Sequence, residues 1–72
     1  MANGIEWVVT LVMEDGTRVR GVQTAMYGNP AIEFFAKNKG LKYKAGSAEK
    51  MFHFENFLAK GLRQPLTEEE LS

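Results

Sequence analysis

Ile5-Glu6-Trp7-Val8-Val9-Thr10-Leu11-Val12-Met13-Glu14-Asp15-Gly16-Thr17-Arg18-Val19-Arg20-Gly21-Val22-Gln23-Thr24 is the stretch on which the fold turns. From Ile5 to Met13 the residues alternate. Ile5, Trp7, Val9, Leu11 and Met13 share one face, and Glu6, Val8, Thr10 and Val12 the other, as in a strand rich in β-branched residues. Thr17 to Thr24 reads as a second strand, with Glu14-Asp15-Gly16 as the turn of a hairpin. Turn length matters because a slip of one residue reverses every side chain. A two-residue turn sets Leu11 opposite Arg20 and Met13 opposite Arg18, which mixes core with charge. A three-residue turn with Gly16 in the left-handed region sets Leu11 opposite Val19 and Val9 opposite Gly21, and puts Arg18 and Arg20 on the face of Val12 and Thr10. The second register is the one predicted.

Downstream, Asn29 is placed to cap a helix with Pro30 in its first position. Ile32, Phe35 and Ala36 form its apolar stripe, Lys37 and Lys39 lie in its last turn, and Gly40 ends it. Leu41, Tyr43 and Ala45 alternate with Lys42 and Lys44, predicting a third strand that stops at Gly46. Ser47 then caps a second helix with Met51, Phe54, Phe57, Leu58 and Leu62 on one side, closed by Gly61 and Pro65. Residues 51–54 also fit a strand, since Phe52 and Phe54 alternate with Met51 and His53, but the helix gathers five apolar positions against two. Thr67 and Glu70 have capping-box spacing in a last turn expected to fray.

These elements predict an α+β fold, ββαβα. Residues Trp7 to Met13 are all uncharged, an aggregation hazard on an edge, so the first strand belongs in the middle. The result is a three-stranded antiparallel sheet in the order 2-1-3, packed on one face by two helices, with basic residues on both edges. Residues 1–66 form a single domain and 67–72 a short acidic C-terminal tail.

With 72 residues and no cysteine, stability must come from packing alone. No apolar stretch approaches the roughly 20 residues of a membrane span, and no basic region precedes the first strand. The expected location is cytoplasmic, away from membranes. His53, the one histidine, has Glu49, Asn56 and Phe57 within a helical turn but no nucleophile beside it, so a structural role is expected. No metal-ligand set, paired carboxylates or phosphate loop is present, and no cofactor is implied. The chain is expected not to be an enzyme.

The nine Lys and Arg balance nine Asp and Glu, but unevenly along the chain. Residues 1–36 hold two arginines against Glu6, Glu14, Asp15 and Glu33, whereas residues 37–67 hold seven basic groups against Glu49 and Glu55, and Glu68 to Glu70 follow. The basic stretch Lys37 to Lys50 contains Tyr43, and the five phenylalanines exceed what so small a core readily hides, with Phe34 and Phe52 off the main stripes. Two functions are therefore expected. The first is a non-enzymatic protein-binding module, of the accessory or inhibitor kind common in bacteriophages and mobile elements. It would block a surface of a larger host protein complex through Phe34, Lys39, Lys42, Tyr43, Lys44 and Phe52, and a homodimer is open to it. The alternative is nucleic-acid binding through Arg18, Arg20, Lys37, Lys39, Lys42 and Lys44, with Tyr43 available to stack on a base.

Overall fold

The computed structural model describes residues 4–72; Met1, Ala2 and Asn3, included in the expected domain, lie outside the described residues. The elements are β1 (Ile5–Val12), β2 (Arg18–Ala25), α1 (Gly28–Lys39), β3 (Ala45–Lys50), α2 (Met51–Ala59) and α3 (Glu68–Leu71). The sheet is antiparallel in the order β2-β1-β3, as the burial argument for the first strand requires.

The hairpin adopts the three-residue turn. Leu11 pairs with Val19, Val9 with Gly21, Thr10 with Arg20 and Val12 with Arg18. Gly16 has φ of 88°, and its N–H donates to the Met13 carbonyl at 2.9 Å, while the Met13 N–H donates to the Thr17 carbonyl at 2.8 Å. Asp15 accepts from the Thr17 hydroxyl at 2.7 Å and the Thr17 N–H at 3.0 Å, and these bonds hold its carboxyl below the usual range. A methyl at Gly16 meets nothing within 4 Å. Gly16→Ala therefore costs backbone strain only, about 1 kcal/mol, and a urea titration showing no loss would mean that the turn relaxes freely.

The two faces of β1 are covered by different helices, which corrects the expectation that both pack on one face. Trp7, Val9 and Leu11 form a core with Ala25 and with Ala31, Phe35 and Ala36 of α1. The Trp7 indole N–H donates to the Ala25 carbonyl at 2.9 Å within it. On the opposite face, Val8 is buried, as is Phe54 of α2, and the two line one groove. Met51, Phe54 and Leu58 line a second with Val22, Pro65 and Leu66. A strand that is apolar on both sides needs two covers.

Four boundaries also differ from the sequence reading. β3 is Ala45–Lys50, and Leu41 and Tyr43 instead pack against the core from the preceding loop. Gly40, at φ 67°, turns the chain out of α1 while the Leu41 N–H donates to the Ala36 carbonyl, so residues 41–44 serve to reach the sheet. Ser47 lies within β3, opposite Thr10, and α2 follows Lys50 directly without a side-chain cap. Tyr27, in extended conformation, is the N-cap of α1, which places Asn29 and Pro30 inside the first turn, where no N–H is needed from Pro30. Finally, α2 stops at Ala59, leaving Leu62 exposed rather than on the stripe.

The C-terminal turn is docked rather than frayed. The Thr67 hydroxyl accepts from the Glu70 N–H at 3.2 Å and the Glu70 carboxylate accepts from the Thr67 N–H at 2.8 Å, a complete capping box. α3 lies along the outer edge of β2, reaching Arg20 on one side of it and Lys39 on the other. Among the described residues no helix is long and apolar enough to cross a membrane.

Candidate functional site

The sheet ends unevenly opposite the hairpin, and four of the exposed apolar side chains among the described residues emerge at that end. Ile5, the first residue of β1, pairs with Ala25, the last of β2, so Met26 and Tyr27 emerge there as the chain turns into α1. Lys50, the last residue of β3, pairs with Trp7, so Met51 and Phe52 emerge beside it. Tyr27 and Phe52 are each 68% exposed, Met26 57% and Ile5 44%. Ile5, Met51 and Phe52 line one shallow depression with Glu6 and Lys50. Phe52 meets the His53 ring edge-on at 5.6 Å.

The residues expected to bind a partner do not form one patch. Phe34 is exposed on α1, in the layer over Trp7, Val9 and Leu11, whereas Phe52 opens α2 in the opposite layer. Tyr43 is half-buried, its ring about where a Cβ on Gly46 would touch it, so its faces are partly covered. Lys39 lies over the Phe35 ring and donates to the Ser72 carbonyl at 3.3 Å. Lys42 and Lys44 are exposed at the start of β3 and, like Lys37 and Lys50, make no ion pair or side-chain hydrogen bond among the described residues.

Of the arginines expected to contact nucleic acid, Arg18 is exposed but Arg20 is engaged inside the protein. Its guanidinium donates to both Glu70 carboxylate oxygens at 2.9 and 3.1 Å and to the Gln64 and Pro65 carbonyls at 2.9 Å, and it lies over the Phe54 ring. That pairing holds the Glu70 carboxyl below the usual carboxylate range. Arg63 stacks on Phe57 and pairs with Glu49 through two bonds, at 2.9 and 3.0 Å, and the bonds to Glu49 raise its already high pKa. The groove between Thr10, Ser47 and Phe54 thus shows two guanidinium groups that already hold carboxylates. Glu49, one of the helical neighbours expected for His53, lies in β3 and pairs with Arg63 instead. Among the described residues no three His, Cys, Asp or Glu side chains converge as a metal site.

Sequence reasoning missed Ile5, Met26 and Tyr27. Their exposure depends on where paired strands end relative to one another, which no single segment reveals. Compared with models of known protein families, with curated proteins and with solved structures, the chain gives no match.

Proposed function

We propose that this chain is a non-enzymatic protein-binding module that acts by occupying a surface of a larger partner. The observation that supports it is the gathering of Ile5, Met26, Tyr27 and Phe52, all exposed, at one end of the sheet. A small domain that leaves aromatic and aliphatic side chains in water at one place has the kind of contact surface that partner binding desolvates. Nucleic-acid binding has weaker support, because Arg20 is held by Glu70 and Tyr43 is half-buried.

The test is affinity capture from the native host with wild type and Phe52→Asp. Phe52 is largely exposed, so the variant keeps the wild-type circular dichroism spectrum and melting temperature but loses a stoichiometric protein partner. Retention of the same partner by both would remove this end of the sheet from the interface. If the bound material is nucleic acid, released steeply as salt rises, the protein-binding reading is wrong.

A further inference from the structure

We infer that the outer edge of β3 is a docking edge for an acidic, extended segment of a partner protein, which adds to the sheet as a fourth strand; this rests on the protein-binding reading above. The two sheet edges are treated differently. β2 is covered by α3, held in place by Arg20, whereas among the described residues no element lies outside β3. An edge strand presents alternate unpaired N–H and C=O groups. Proteins that keep such an edge closed put a charge, a proline or a bulge in its middle. Here the first four of the six residues read Ala45-Gly46-Ser47-Ala48, small and uncharged, with Ala45, Gly46 and Ser47 exposed, and the charged pair Glu49 and Lys50 stands only at the far end. Another backbone can approach without displacing a side chain.

The flanks specify the chemistry of the occupant. Lys42 and Lys44 stand before the strand and Lys50 at its end, all exposed and free of carboxylate partners among the described residues. Glu49, the one acidic residue of β3, is taken by Arg63. A second copy of the chain, paired edge to edge, would bring both sets of lysines into one ribbon with no free carboxylate between them, which is repulsive. A strand carrying Asp or Glu is attracted where it passes Lys42 and Lys44 before β3 and Lys50 at its end. Beyond Lys50 the edge leads to Ile5, Met51 and Phe52, where one apolar residue of the same segment can be buried. Main-chain pairing over β3 thus joins the free lysines to the apolar end.

The probes are blocked peptides of about ten residues, alternating Thr and Val, with Phe at one terminus and three Glu at the other, made in both chain orders. A twin set carries Lys in place of Glu. Titrated into the full chain, an acidic peptide binds and slows amide hydrogen exchange at alternate residues of β3 by about tenfold or more, without added protection along β2. Lys42→Glu with Lys44→Glu weakens the acidic peptide about tenfold or more and favours its lysine twin. The proposal is overturned if no acidic peptide binds at about 1 mM, if protection appears away from β3, or if charge reversal leaves affinity unchanged. A dimer of the free chain with β3 protected would assign the edge to a second copy instead. If the doubly reversed variant still captures the host partner that Phe52→Asp loses, the edge proposal fails while the protein-binding reading stands. If wild type captures no protein, that reading fails, and the peptides judge the edge separately.

Discussion

Gly21→Ala loses about 2–3 kcal/mol of stability in urea denaturation, a large part of the roughly 3–5 kcal/mol that a core of this size supplies. Gly21 pairs with Val9 on the face that α1 covers. A Cβ there would collide with Phe35 Cε1 and stand 2.7 Å from Phe35 Cζ, with the Glu70 carbonyl at 3.4 Å on the other side. Phe35 is 2% exposed and packs among Val9, Leu11, Ala31 and Ala36. Its ring is rigid and enclosed, so relief requires moving the helix away from the sheet. Combining Gly21→Ala with Phe35→Leu should restore part of the loss, because the smaller side chain vacates the space that the methyl needs. A double-mutant cycle isolates that coupling. If Gly21→Ala is neutral, or the cycle shows no coupling, the close approach of α1 to β2 does not limit the packing.

The parts of the fold legible from sequence are those decided within a few residues. Alternation along β1, the Asp15-Gly16 turn chemistry and the mismatch of Leu11 with Arg20 in the shorter turn were sufficient for the hairpin register. Gly40 was sufficient for the end of α1. β3 was illegible because Ala45, Gly46, Ser47 and Ala48 have little preference for a strand. Gly46 and Ala48, on the face that α1 covers, are small because the helix lies close above them. A Cβ on Gly46 would stand 2.6 Å from Ile32 Cγ2. That requirement comes from Ile32, fourteen residues before Gly46, and the more strand-like Leu41 to Ala45 attracted the assignment instead. The placement of α2 on the far face did leave a trace, in Val8, Val12 and Val22 on the supposedly solvated side.

The candidate surface was legible to a similar degree. Phe52 lies off the apolar stripe of its helix, and that alone marks it as exposed. Arg20 looks in sequence like any edge-strand arginine, yet its partners Gln64, Pro65 and Glu70 lie 44 to 50 residues away. No local pattern connects them. The same long-range contact converts the acidic C-terminal residues from a tail into a cover for β2, which leaves β3 as the open edge of the sheet among the described residues.

Arg20→Ala is the second large effect, about 2–3 kcal/mol, because one side chain ties the C-terminal segment to the sheet at three places. Its removal leaves the Gln64 and Pro65 carbonyls without this donor and Glu70 without its cation, and takes the guanidinium from over Phe54. With the side chains of Arg20 and Glu70 19% and 22% exposed, water compensates only in part. Released, residues 62–71 expose the Val22, Leu66 and Leu71 groove and the outer edge of β2. Tryptic cleavage after Arg63 should therefore accelerate, and the variant should associate as concentration rises. The pH dependence separates the ion pair from packing. Glu70 titrates lower in the folded chain than in the unfolded one, so its contribution is complete above the ordinary carboxylate range and is lost as acid protonates the folded group. The stability gap between wild type and Arg20→Ala thus narrows as pH falls from neutral towards about 3. A gap that stays constant over that range would mean that Arg20 acts through its carbonyl bonds and its contact with Phe54, and not through Glu70.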